Sequence, residues 1–166
     1  MNAIKVIVPV YNSEKWISKT IESIKNQTCK NFECLIADDM STDNTANVIM
    51  ENIKDDERFS AVINTERKYA LKNVYDGFKK LGTHEEDILV TVDGDDWLYN
   101  EFVFDKLNKV YEERDCLLTY GSFLEYPSGQ THAYYLEPYS QHVIGNNLFR
   151  ESPWKASHLR TFKKKL

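Results

Sequence analysis

The chain has little of what small folds use for cross-linking or for gripping phosphate. Only three of its 166 residues are cysteines, Cys29, Cys34 and Cys116. The odd count and the lack of any CxxC spacing exclude a disulfide framework and a zinc site, and predict buried, reduced thiols. Its six glycines form neither a GxGxxG after the first apolar run nor a GxxxxGK[ST] anywhere, so the usual dinucleotide and P-loop cradles are excluded. No apolar run approaches bilayer-spanning length, and the N-terminus opens on KVIVPVY rather than on a basic region with a helical apolar segment, so a cytoplasmic protein is expected. Positive charge is also short. The net charge of −5 argues against nonspecific nucleic-acid binding, which needs a basic surface. From Arg150 onward six Lys or Arg face one Glu, a local +5 that leaves residues 1–149 at −10. The terminal FKKKL reads as a solvated helix end, with peripheral contact to an anionic membrane's inner face as the alternative.

What remains is an ordinary globular composition, 42% hydrophobic and 28% charged, which predicts a single domain over 1–166 with a real core. Ile4 to Val10 is a β-branched apolar run and reads as a buried strand. Ser13 is a candidate N-cap for a helix carrying Ile17, Ile21 and Ile24. The pattern repeats: strand Phe32 to Ala37, then a helix with Ala46, Ile49, Met50 and Ile53 after caps at Ser41, Thr42 or Asp43. Next come strand 59–64, a helix marked by Leu71, Val74, Tyr75 and Phe78, strand 87–92, and a helix capped by Asn100 with Phe104, Leu107, Val110 and Tyr111. Strands alternating with helices predict an α/β fold with a mostly parallel central sheet flanked by helices. Past Cys116 the short aromatic runs CLLTY, SFLEY and THAYYLE predict a small antiparallel extension, and helical character is expected again after Pro153.

In such sheets ligands collect beyond the carboxyl ends of the strands. The residues there are Pro9, Val10, Tyr11 and Asn12, then Asp38-Asp39, then Asn64 to Arg67, then TVDGDDW, which packs Asp93, Asp95 and Asp96 into four positions. Like charges this close repel unless a cation gathers them. With no glycine cradle available, a hard Mg²⁺ or Mn²⁺ ion held by one or two carboxylates is the natural way to neutralise a ligand's phosphates. An EF-hand does not fit, since Met50 stands where its bidentate Glu belongs.

Taken in order, KVIVPVYN, IADDMSTDNT and LVTVDGDDWL resemble the catalytic domain of a family 2 glycosyltransferase with the GT-A nucleotide-sugar-binding fold, and SHLRTFKKKL resembles a further segment seen in one branch. The resemblance implies that Pro9, Val10, Tyr11 and Asn12 line the base and ribose and that Asp39 accepts a hydrogen bond from a uracil ring. It further implies that Asp93, Gly94 and Asp95 approach the ribose, that Asp95 and Asp96 hold the metal, and that Lys72 and Asn73 approach the nucleotide. The implied reaction is inverting transfer of a sugar from a nucleotide-diphosphate donor, a UDP-sugar above all, to a hydroxyl of a sugar, lipid-linked or protein acceptor. The family's catalytic base would lie downstream of Leu166, since no aspartate follows Asp115; the chain is then expected to be the donor-binding part, cut on its acceptor side. A noncatalytic nucleotide-sugar-binding module of the same fold is the alternative. A sugar nucleotidyltransferase is disfavoured, because VPVYNSEKW has no glycine.

Overall fold

The structure, a computed structural model, describes residues 3–131, 137–155 and 157–166. Its elements run β1 (Ile4–Val10), α1 (Ile17–Lys25), β2 (Phe32–Asp38), α2 (Thr45–Ile53), β3 (Phe59–Ile63), α3 (Tyr69–Lys80), β4 (Ile88–Thr91), α4 (Val103–Glu113), β5 (Leu118–Gly121), α5 (Gln141–Gly145) and β6 (Ser157–Lys163). One six-stranded sheet has the order β3-β2-β1-β4-β6-β5. Its first four strands are parallel. This is the α/β architecture expected. The chain divides into two compact units, one reaching Leu118 and taking back Thr161–Leu166, the other spanning Thr119–Arg160.

Every residue of β1 is buried, as befits a strand with neighbours on both sides and helices on both faces. Ile7 points to one face, where it meets Leu35, Ala37, Leu89 and Phe78 of α3 in a single apolar cluster. The opposite face follows from the strand's two-residue alternation: Phe32 of β2 packs edge-on against Phe59 at 5.9 Å and against the fully buried Phe104 of α4 at 5.3 Å. Buried Gln27 ties the start of α4 to the end of α1, accepting from the Phe104 N–H and donating to the Asn100 carbonyl.

Two helix starts differ from expectation. Ser13 does not cap α1; its carbonyl accepts from Trp16 and Ile17 in a turn that delays the helix to Ile17, while its N–H donates to Thr45 Oγ1. Asn100 likewise holds the turn before α4, accepting from the Phe102 N–H, and the helix begins at Val103.

The end of the chain is a correction of kind. Where a helix was expected after Pro153, residues 157–163 form β6. The reason is visible within the first unit. Thr161 and Lys163 alternate inward, Thr161 bonding the buried Tyr111 hydroxyl at 2.8 Å and Lys163 pairing with Glu86 at 2.5 Å, while Phe162 meets Phe78 at 5.7 Å on the other side. The lysines of FKKKL are therefore not a solvated helix end: Lys165 also pairs with Glu86 and Lys164 donates to the Thr83 carbonyl. The Lys163 N–H bonds the Leu117 carbonyl.

In the second unit Gly121 lies so close to His158 that a Cβ there would stand 2.6 Å from the His158 carbonyl oxygen. With Leu117 opposite Lys163 and Gly121 opposite His158, β5 and β6 run antiparallel, the expected extension. Its membership differs, however. SFLEY is not a strand; it leads into a turn in which the Glu125 N–H donates to Gln130 and the Gly129 N–H to Glu125. THAYYLE lies largely outside the described residues. Tyr139 anchors this unit, with Phe149 at 5.2 Å and its hydroxyl accepting from the Lys155 N–H. Cys29 and Cys34 are buried free thiols and Cys116 is half-buried. Among the described residues no helix is long and apolar enough to cross a membrane.

Phe104 fills the centre of the α4 face, so Phe104→Ala is expected to lower the unfolding free energy by about 3–5 kcal/mol, read as a drop in the urea midpoint with an unchanged m-value.

Candidate functional site

Parallel register brings three strand ends to one rim. Val10 is level with Asp38 on β2, and Ile7 is level with Thr91, the last residue of β4. Beyond the strands the ladder continues through single bonds. The Val10 carbonyl accepts from the Asp39 N–H at 2.8 Å, and on the other side the Pro9 carbonyl accepts from the Gly94 N–H at 3.1 Å. Pro9 sits in a central strand without harm because the rung it cannot form falls opposite Val92, past the end of β4. Gly94 is required where it stands: a Cβ would lie 2.5 Å from Val10 Cγ2. Thr20 of α1 fastens the same turn from behind, its hydroxyl reaching the carbonyls of Gly94 and Asp96 at 3.2 and 2.7 Å.

These ends enclose a cavity of about 310 Å³. Pro9 and Val10 of β1 and Tyr11 just beyond it line the cavity on one side, and Asp93, Gly94 and Asp95 line it from the acidic turn. Asp39 enters from β2, and Asn73 closes the side belonging to α3. Of the eleven positions to which the resemblance assigns a base, ribose, nucleotide or metal contact, the structure brings eight together. It leaves three aside. Asn12, with φ near 50°, ties the β1 and β2 loops by donating to Ser41 Oγ and accepting from the Thr42 N–H. Lys72 is exposed and pairs with Asp76 one helical turn away. Asp96 does not line the cavity; its N–H closes the acidic turn onto the Asp93 carbonyl.

The two neighbouring aspartates have separate jobs. Asp38 is fully buried and accepts the Ser41 hydroxyl, holding the β2–α2 loop. Asp39, 3% exposed, turns to the cavity and accepts four hydrogen bonds: Lys68 N–H at 2.7 Å and Asn73 Nδ2 at 2.9 Å on one oxygen, Arg67 Nε at 2.8 Å and Tyr69 N–H at 3.0 Å on the other. Asn73 is held in turn by Asn64, whose amide donates to its oxygen at 2.7 Å. The carboxylate therefore sits at the N-terminus of α3, where backbone N–H groups favour negative charge. Burial pushes its pKa up, but the bonds from Lys68, Asn73, Arg67 and Tyr69 outweigh that and hold it at about 2. Tyr69 adopts φ of 64° to present its N–H, a left-handed conformation that is unusual for so bulky a side chain.

Sequence reading passed over Arg67 beyond noting that it follows a strand. Its guanidinium lies 3.5 Å from the centroid of the Tyr11 ring and 5.2 Å from that of Tyr69 while bonding Asp39. Ser13 and Ala70 complete the lining.

The family model described as Glycosyl transferase family 2 matches residues 5–166. The chain is 27% identical over 154 residues to glycosyltransferase GlyA of Streptococcus pneumoniae, a match covering 89% of this chain and 20% of that protein. Among solved structures it is similar to S. aureus TarS in complex with UDP-GlcNAc, with a TM-score of 0.66, 23% identity and coverage of 81% of this chain and 38% of that one. It is also similar to the mannosyltransferase PcManGT of Pyrobaculum calidifontis in complex with GDP-Man and Mn²⁺, with a TM-score of 0.70, 19% identity and coverage of 98% and 44%. At these identities the likeness is one of fold. The chain spans about a fifth of the length of GlyA and less than half of TarS 1–349 and of PcManGT.

Since the folded pKa of Asp39 lies below the ordinary carboxylate value near 3.9, its contribution to stability is fully present above about pH 4. It is lost as pH falls through about 2. Urea unfolding followed from about pH 6 down to about pH 2 is expected to show Asp39→Asn losing less stability on acidification than the parent protein. Parallel curves would refute the depressed pKa.

Proposed function

We propose, from the premise that the chain belongs to glycosyl transferase family 2, that its first unit binds a nucleoside-diphosphate sugar and serves inverting transfer of that sugar to an acceptor hydroxyl. The single observation that carries this reading is that Asp39 and the 93–95 turn, far apart in sequence, open on one cavity at the crossover point of the sheet. Ligands of the neighbouring structures, UDP-GlcNAc and GDP-Man, support a donor of this class. The transferred group is then of hexosyl or N-acetylhexosaminyl type, with a sugar, lipid-linked or protein acceptor.

Three lining residues meet the nucleoside in this reading. Tyr11 offers an aromatic face to the base, Asp39 an acceptor for a ring N–H, and Asp93 a carboxylate to the ribose hydroxyls. Asn12 acts indirectly, by fixing the loop that carries Tyr11. Lys72, paired with Asp76 and facing solvent, is assigned no ligand contact.

A divalent cation fits the donor set. Asp93, Asp95 and Asp96 offer only hard oxygen ligands, which suit Mg²⁺ or Mn²⁺, and the turn that carries them is pressed onto Val10 with room only for glycine at 94. Asp95, which lines the cavity, and its neighbour Asp96, just outside the lining, would hold the ion. When bound, it supplies neutralisation of the negative charge that develops on the departing nucleoside diphosphate. The residues themselves fix the reactants: Thr20 and the Pro9 carbonyl hold the acidic turn, and the α3 N-terminus holds Asp39 ionised, so neither carboxylate has to reorganise as charge moves. The acceptor's proton goes to a carboxylate base on the acceptor side, an effect worth roughly 10²- to 10⁴-fold.

Calorimetric titration with UDP tests the reading. Binding is expected to weaken on the order of 100-fold when Mn²⁺ and Mg²⁺ are removed, and Asp95→Ala and Asp96→Ala are expected to abolish the metal dependence. Titrations indifferent to metal and to both substitutions would sink the assignment. Hydrolysis of a UDP-sugar then separates an enzyme from a binding module.

A further inference from the structure

The region around Tyr11 has the form of a slot for a flat, edge-donating group: two tyrosine rings, Tyr11 and Tyr69, flank a space that ends on the Asp39 carboxylate. The Arg67 guanidinium occupies that space, its carbon over the Tyr11 ring at 3.5 Å from the centroid and its Nε donating to Asp39 Oδ2 at 2.8 Å. A planar group on an aromatic face with one N–H pointing into a carboxylate makes the two contacts that a nucleobase with a ring N–H would make.

Both cannot be present. A carboxylate offers about four lone-pair sites, and Asp39 accepts four hydrogen bonds. For a base N–H to reach it, one donor must leave. The Lys68 and Tyr69 N–H groups belong to the backbone at the start of α3 and cannot withdraw without unwinding it. Asn73 is buried and held from behind by Asn64. Arg67, with 32% of its side chain exposed, is the donor able to swing out into solvent.

We infer that Arg67 occupies the base position of the donor site as an internal competitor, and that nucleotide binding exchanges its guanidinium for a base bearing a ring N–H. The inference rests on the proposed nucleotide-sugar reading and deepens it: Arg67 becomes the residue that sets nucleoside affinity. The exchange also sharpens selection. Uracil (N3–H) and guanine (N1–H) replace the lost donor, whereas cytosine and adenine present a bare ring nitrogen to a carboxylate that has just lost its cation.

Uridine is the probe, because it carries no phosphate and so does not report the loss of a nearby positive charge. Ligand-observed NMR with the full chain is expected to show Arg67→Ala binding uridine roughly 5- to 10-fold more tightly than the parent, the scale of one exposed cation–π contact together with one exposed ion pair. Cytidine is expected to gain less. Unchanged or weaker uridine binding, or an equal gain for cytidine, would overturn the exchange while leaving UDP binding, and hence the donor-site reading, intact. Absence of UDP binding by either protein would instead overturn the donor-site reading and this inference with it. The same question can be read without substitution from a crystal structure of the parent protein with UDP. The guanidinium off the Tyr11 ring supports the exchange; the guanidinium still on Tyr11 and Asp39, with the base elsewhere, refutes it.

Discussion

The last two carbonyls of β1 organise everything above them. Pro9 points its oxygen toward β4 and holds Gly94; Val10 points its oxygen toward β2 and holds Asp39. Because successive carbonyls of a strand face opposite neighbours, one central strand pins two loops to the same level, one on each side. Neither loop could be placed by its own sequence. The acidic turn from Asp93 to Asp96 is held level with the second carboxylate through the backbone ladder of the buried strand.

Charge at the rim is handled in two different ways. Asp39 is satisfied from within, by two backbone N–H groups at a helix start, an amide and a guanidinium, and is held ionised at any physiological pH. The 93–96 turn is fastened through its backbone, by Thr20 and Pro9. In the proposed donor site the first carboxylate is a fixed acceptor for a base and the second group is the seat of a cation. The positions along the crevice then follow the order of a nucleoside diphosphate, base at β2 and phosphates at β4.

Much of this was legible in the sequence because each apolar run ends abruptly in polar residues, and strand ends are where α/β folds keep their ligands. What was not legible depended on partners distant along the chain. Residues 157–163 carry Leu159 and Phe162 at a helical spacing, and their strand alternation makes sense only once Tyr111 and Glu86 are there to meet Thr161 and Lys163. Lys72 and Arg67 are both cations near the start of α3, and nothing in their spacing says that Arg67 pairs with Asp39 while Lys72 pairs with Asp76. Asp38 and Asp39 are adjacent and chemically identical, yet the two-residue alternation of the strand sends one to a loop and the other to the cavity.

The contact between Val10 and Gly94 has a consequence for how such a rim can be altered. With no room for even a methyl group at the middle of the triplet, position 94 admits glycine alone. A larger residue there would have to push the acidic turn away from Val10, and the carboxylates on either side would move with the main chain. The alignment of this edge is thus vulnerable at a position that itself carries no functional group.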